Sequence, residues 1–308
     1  MNLTRRGFAA LAGLTALSAC STSNPLASPS SAAASGGGGS AGGGTLVVGS
    51  QQYYSNEIIA ELYAQVLEKA GLKVTRQYQI GQREVYLPEI LKGSIDVFPE
   101  YNGNLLQYLD KAAKVTDTAS VQAALSKALP SGLRVLAPAD ASDQDTYTTT
   151  QAFSTQYGVT SLADLSKVTK KLTIAANSEF ATRPYGPSGL KTAYGVDVTV
   201  VPVEDSGGPL TVKALTDGKA DFADIYSASP AIVANKLVVL EDPKSLILPQ
   251  NVVPLVSSKV DSKAADAITK VNAKLSADDL RQLNSQSVNE QKKSADIAKA
   301  WLSSKGLI

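Results

Sequence analysis

One pattern, aliphatic-x-x-Gly-x-x-Asp-x-x-x-x-Tyr, occurs twice in this chain: as Ile90, Gly93, Asp96 and Tyr101, and again as Leu215, Gly218, Asp221 and Tyr226. The match runs further back. A strand-like start at Leu46 precedes Gly71, Gly93 and Tyr101 by 25, 47 and 55 residues, and a second at Leu172 precedes Gly195, Gly218 and Tyr226 by 23, 46 and 54. A duplicated unit of that length predicts two similar α/β lobes, each ending a strand on a tyrosine. Two such lobes predict a cleft that closes on a small ligand.

The periodicity within each copy supports this reading. Leu46 to Val48 form a short apolar strand, and Ile58, Ile59, Leu62, Tyr63, Val66 and Leu67 recur at helical spacing. Gly71 is a natural helix stop. Strands are expected at 73–78 and 95–98 around a helix at 83–92. The second copy predicts strands at 172–175, 196–201 and 220–225, with helices at 190–194 and 210–217. Alternation of this kind implies parallel pairing with right-handed crossovers. The chain is expected to cross between lobes near 140–150 and again near 243–256. Lobe 1 is then 45–146 plus 250–308, and lobe 2 is 147–249. Helices near 262–275, 277–291 and 294–304 should cover lobe 1, with Trp301 pinning the last of them.

The N-terminus reads as an export signal. Arg5 and Arg6 precede Gly7-Phe8, which resembles a twin-arginine signal, and an apolar run from Ala9 to Leu17 follows. Leu17-Ser18-Ala19-Cys20 resembles a bacterial lipobox, and Cys20, the sole cysteine, is the expected lipidation site. Residues 1–19 are thus a signal peptide. Residues 20–44 are a lipidated cysteine and a Gly/Ser/Ala-rich tether, with an r.m.s. span of about 25–30 Å. The expected location is the extracytoplasmic face of the cell membrane.

Composition excludes several classes of function. The chain has no histidine, which removes the commonest general base and metal ligand. With Cys20 committed to lipid, thiolate chemistry is unavailable too, so no enzyme, cofactor or metal site is expected. Without Arg5 and Arg6 the chain carries 27 basic and 28 acidic residues, which speaks against a nucleic-acid partner.

Tyr101 and Tyr226 fall beyond the carboxyl ends of strands, where open parallel sheets bind ligands. Two aromatics across a hinged cleft suit a quaternary ammonium, whose weakly hydrated charge moves onto ring faces at little desolvation cost. Arg183 is a candidate to hold a ligand carboxylate. Alternatively it pairs with Glu179 or Asp145 and closes the lobes. Gly207-Gly208-Pro209, ahead of a helix, is a candidate anion site.

These residues lie in stretches that resemble the substrate-binding proteins of osmoprotectant (glycine betaine/carnitine/choline) ABC transporters, an OpuAC-like family. The matching stretches are Val47 to Ser50, Asp96 to Gly103, Asp145 to Tyr147, Glu179 to Arg183, Asp224 to Ser227 and Leu237 to Asp242. The resemblance implies a two-lobed α/β fold of the type II periplasmic-binding-protein kind, a hinged clamshell. It also implies a small-molecule solute, and ABC permease and ATPase subunits as partners. Its four-tyrosine box carries over as Tyr101, Tyr147 and Tyr226, and the fourth position falls at Gln250. Gln51, Asn102 and Asn104 also depart from the family's usual residues. The pocket is therefore expected to be amide-rich, which leaves open a non-cationic aromatic or polyhydroxylated solute as the alternative ligand.

Overall fold

The computed structural model describes residues 44–308. Residues 1–43, which hold the expected signal and Cys20, lie outside the described residues.

Lobe 1 opens with β1 (Leu46–Gly49), α1 (Tyr54–Lys69), β2 (Val74–Gln77), α2 (Arg83–Leu91) and β3 (Val97–Tyr101). It continues with α3 (Asn102–Leu109), α4 (Thr118–Ala128) and β4 (Leu133–Val135). The chain then crosses to lobe 2, made of β5 (Tyr147–Thr150), α5 (Gln151–Tyr157), β6 (Leu172–Ala176), α6 (Pro187–Tyr194), β7 (Val198–Pro202), α7 (Pro209–Thr216), β8 (Phe222–Asp224), α8 (Ala231–Ala234) and β9 (Leu237–Val239). It returns as β10 (Val252–Ser257), and α9 (Ser262–Asn272), α10 (Ala277–Val288) and α11 (Ser294–Ser304) complete lobe 1.

The two sheets have the same plan. One runs β2-β1-β3-β10-β4 and the other β7-β6-β8-β5-β9. In each, the first three strands are parallel, and the fourth, which has just crossed from the other lobe, is antiparallel to both its neighbours. Hydrophobic side chains cover both faces of each sheet, as expected of sheets with helices on both sides. In β3, Val97 and Tyr101 enter the core under α1 while Phe98 enters the core on the other face. Ile58, Ile59, Leu62, Tyr63, Val66 and Leu67 of α1 are all buried, and the Tyr63 hydroxyl donates to Asn272 Oδ1 of α9 at 2.7 Å.

The repeated motif has a physical explanation. Gly93 and Gly218 lie at φ 77° and 71°, a left-handed conformation glycine adopts without penalty. Each ends its helix in the same pair of bonds: Gly93 N–H to Ile90 O with Ser94 N–H to Glu89 O, and Gly218 N–H to Leu215 O with Lys219 N–H to Ala214 O. The aspartate three residues on then clamps the second residue of the neighbouring strand. Val47 N–H donates to Asp96 Oδ2, and Thr173 N–H to Asp221 Oδ2, both at 3.0 Å. Asp96 N–H and Asp221 N–H return bonds to the Val47 and Thr173 carbonyls. Gly-x-x-Asp therefore stops a helix and fixes the register at which the next strand enters the sheet.

The structure also holds elements beyond those expected: α3, α4 and β4 in lobe 1, and α5 and α8 in lobe 2. Trp301 of α11 is buried and its indole N–H donates to Asp279 Oδ1 of α10 at 3.0 Å. Among the described residues, no helix is long and apolar enough to cross a membrane.

Candidate functional site

The carboxyl ends of the parallel strands of both sheets converge on one cleft. Lobe 1 contributes Gln51 and Tyr53 after β1, Gln82 and Arg83 at the start of α2, Tyr101 at the end of β3, and Asn104 in α3. Lobe 2 contributes Asn177, Glu179, Phe180, Arg183 and Tyr185 after β6, with Asp224 and Tyr226 at and beyond the end of β8. Asp143 and Asp145 enter from the first crossing segment. The void among these side chains is about 30 Å³, so the lobes are drawn together over it.

Seven of the nine expected ligand residues line this cleft: Tyr101, Tyr226, Gln51, Arg183, Asn104, Asp145 and Glu179. Tyr147 and Gln250 stand one layer behind it. The Tyr147 hydroxyl donates to the Tyr185 carbonyl at 2.8 Å, and its ring meets Phe180 edge-on at 5.7 Å. Tyr147 thus props the Phe180–Tyr185 wall. Gln250, 1% exposed, ties the two crossing segments together. Its Oε1 accepts from Asp145 N–H at 3.1 Å and its Nε2 donates to Asn104 Oδ1 at 3.0 Å. The Asn104 amide in turn donates to Asp145 Oδ2 at 2.7 Å.

Four tyrosines line the cleft: Tyr101 and Tyr226, which were expected, and Tyr53 and Tyr185, which were not. Tyr53 from lobe 1 meets Tyr226 from lobe 2 edge-on, with ring centroids 5.1 Å apart. The Tyr185 hydroxyl donates to Asp145 Oδ2 at 3.1 Å. The Tyr101 hydroxyl is buried with no hydrogen-bond partner. Burial, reinforced by nearby Asp145 and Asp224, raises the Tyr226 phenol far above its ordinary value, so it stays protonated. Tyr185 lies two residues past the family-like stretch that ends at Arg183, and Tyr53 just past Gln51. That proximity was the available signal.

The charges are unevenly placed. Asp143, Asp145, Glu179 and Asp224 face the cleft. Burial pushes the Asp143 carboxyl up to about 6; Ser55 and the Ala228 N–H oppose the rise and Asp145 adds to it. Burial and then the Asp145 charge hold Asp224 well above the carboxylate range. Burial also raises Glu179, against its hydrogen bond from Asn177. The two arginines are already engaged. Arg83 grips Glu100 with two bonds of 2.8 and 2.9 Å, and the Tyr86 hydroxyl closes on the same carboxylate. Arg183 pairs across the cleft with Glu84 of α2, at 2.8 and 3.3 Å. This corrects the expectation that Arg183 closes the lobes through Glu179 or Asp145. The partner is Glu84, on a helix that approaches from the opposite lobe.

Other bridges between the lobes meet at Ser206, whose Oγ accepts from Gln52 Nε2 at 3.0 Å and Gln82 Nε2 at 3.1 Å. The glycine turn at 207–208 is not open to an anion, because Asp205 already caps α7, accepting from Leu210 N–H at 2.6 Å and from the Thr211 hydroxyl. Asn102 is fully buried and serves the fold, accepting the Asn251 N–H at 2.9 Å.

Comparison with known proteins gives this arrangement its context. Residues 44–304 match the OpuAC family, the substrate binding domain of ABC-type glycine betaine transport systems. The glycine betaine-binding protein YehZ of Escherichia coli K12 is 26% identical over 264 residues, covering 81% of this chain and 87% of YehZ. The carnitine transport binding protein OpuCC of Listeria monocytogenes is 23% identical over 256 residues, covering 80% and 82%. Among solved structures, a glycine betaine/carnitine/choline ABC transporter superposes with a TM-score of 0.69 at 22% identity, over 85% of this chain and 99% of that one. The chain belongs to the OpuAC family: it is the extracytoplasmic substrate-binding protein of a glycine betaine-type ABC importer, a transport protein and not an enzyme.

Proposed function

We propose that the cleft takes up a quaternary ammonium or betaine-like osmoprotectant between aromatic faces from the two lobes. The observation that carries this reading is the Tyr53–Tyr226 contact across the cleft, with Tyr101 and Tyr185 beside it and carboxylates behind. A methylated ammonium cannot donate strong hydrogen bonds, so ring faces and nearby negative charge are what stabilise it. Each cation–π contact contributes about 0.5–2 kcal/mol. The relatives named for glycine betaine and carnitine support the same class. The amides of Gln51, Gln82, Asn104 and Asn177 also suit a polyhydroxylated solute, but the acidic lining favours a cation.

Binding works by hinge closure. The solute bridges both lobes, and the closed form is what the permease recognises before the ATPases drive import. The Leu17-to-Cys20 lipobox supports attachment of Cys20 to lipid, which would keep the protein beside its permease.

The test is calorimetry of glycine betaine and choline against Tyr101→Ala and Tyr226→Ala. Each substitution should weaken binding at least about tenfold while the unliganded fold persists. Unchanged affinity in both variants would refute the aromatic pocket.

A further inference from the structure

We infer that a basic groove beside the ligand cleft, walled by both lobes, is the place where an acidic extracytoplasmic segment of the permease docks on the closed protein. The inference rests on the closed-form recognition proposed above and gives it a location and a chemistry.

The groove has a volume of about 610 Å³. Lobe 1 supplies Lys111 and Lys114, in the loop that follows α3, and lobe 2 supplies Lys244 and the start of α6. Arg183 lines both the groove and the ligand cleft, so the two adjoin there. No aspartate or glutamate lines the groove. The three lysines are exposed and, among the described residues, none of them makes a salt bridge. Lys244 is held in place, because its Nζ donates to the Ala193 carbonyl and lies 5.0 Å from the centre of the Tyr194 ring. The carboxylates nearby in the chain are engaged elsewhere. Asp110 accepts from the Ala112 N–H, Asp117 from the Ser120 N–H, and Asp242 from the Tyr194 hydroxyl and the Ile247 N–H. Glu84 holds Arg183.

Two further features suit a polypeptide. Helix α6 opens on the groove at Ser188 with no side-chain cap, so the positive end of its dipole adds to the lysines. Gln107, 7% exposed, lines the floor at the seam between the lobes. Its Nε2 donates to the Leu246 carbonyl at 3.5 Å, and its Oε1 has no donor. An acidic segment meets both needs, with carboxylates for the lysines and backbone N–H groups for Gln107. The chain as a whole is near neutral, so the groove is a local concentration of charge that complements a negative partner. Its walls belong to different lobes. A segment that fills it touches both and binds best when they are together.

The test uses the full chain and its importer, permease with ATPase subunits, in nanodiscs of zwitterionic lipid. Binding is measured with glycine betaine, with choline and with neither. Lys111→Glu with Lys114→Glu, and separately Lys244→Glu, should each weaken binding to the importer at least about tenfold at low salt, and high salt should narrow the gap. Lys263→Glu with Lys270→Glu makes the same charge change on α9, which packs on the opposite face of the lobe 1 sheet from α3, and should shift binding less than about twofold. Solute affinity by calorimetry should stay within about twofold in all three variants, since none of these lysines lines the ligand cleft. Carbodiimide, which joins amines directly to carboxylates, should link Lys111, Lys114 or Lys244 to an aspartate or glutamate of the permease.

Undiminished binding by the groove variants, an equal loss in the α9 variant, or no wild-type binding to the importer overturns the inference. So does the same loss on permease-free phosphatidylglycerol vesicles, which would assign the groove to lipid headgroups. Failure of both solutes in calorimetry would instead refute the quaternary ammonium reading, and the comparison without solute would still decide this one.

Discussion

Replacing Gln250 discriminates sharply between two pictures of the cleft. If residue 250 faced the ligand as the fourth wall of an aromatic box, Gln250→Tyr would restore a ring and tighten binding of a quaternary ammonium. The structure predicts the reverse. Gln250 is 1% exposed and its amide satisfies two groups, the Asp145 N–H at 3.1 Å and Asn104 Oδ1 at 3.0 Å. Gln250→Leu, of similar volume, orphans both. At about 1–3 kcal/mol for each buried unsatisfied group, the loss is about 2–6 kcal/mol. With a urea m-value near the top of the usual range, about 3 kcal/mol/M, that moves the unfolding midpoint down by about 0.7–2 M. Gln250→Tyr adds a ring to a filled space, a further cost of about 1–3 kcal/mol. Trp301, the chain's single tryptophan, is buried in α11 and provides the fluorescence signal for urea titration. Affinity should fall in both variants, because Asn104 and Asp145 lose the group that positions them. A Gln250→Tyr protein as stable as wild type, binding choline or glycine betaine more tightly, would refute the reasoning.

The remaining expectations follow from single groups. The raised Asp143 carboxyl titrates near pH 6 when folded and near 4 when unfolded, so the folded state holds the extra proton between those values. Its contribution to stability therefore falls as pH rises from about 4 to 6, by about 2–3 kcal/mol, and Asp143→Asn should gain that much relative to wild type over the window. Urea midpoints at several pH values measure this, and parallel curves for the two proteins would contradict it. Asp221→Ala leaves the Thr173 N–H and hydroxyl without their acceptor and should cost about 2–4 kcal/mol; a loss below about 0.5 kcal/mol would dismiss the strand-clamp role of the motif. Cys20→Ala should move the protein from the membrane fraction to the soluble one, and continued anchoring would disprove the lipobox.

Where the sequence was legible, a local rule decided the structure. The Gly-x-x-Asp spacing located two helix stops and two strand entries because glycine conformation and a short carboxylate act within a few residues. The apolar face of α1 was visible for the same reason. The position of Arg183's partner was not, because Glu84 is 99 residues away and reaches it only when the lobes meet. Tyr147 stands behind the lining for a related reason. As the first residue of β5 it is adjacent to the cleft in sequence, but its hydroxyl is drawn back to the Tyr185 carbonyl. Asp143 could not be singled out at all, since its elevated titration arises from burial that no neighbouring residue announces. The helices at 102–109 and 118–128 lack the long apolar periodicity of α1 and are set by packing onto the far face of the first sheet.

The order of strands also governs the sequence in which the molecule can assemble. The sheet of lobe 2 draws all its strands from residues 147–239, whereas β10 must slot between β3 and β4 before the other sheet is whole. A growing or translocating chain can thus finish its second half first, while the earlier-made strands wait with an open seam. Until residue 257 arrives, β3 and β4 present unpaired edges that invite pairing with another chain. Truncations just upstream of Val252 should consequently yield one folded half joined to a sticky one, and the cell has reason to keep this protein guarded until its last sixty or so residues have emerged.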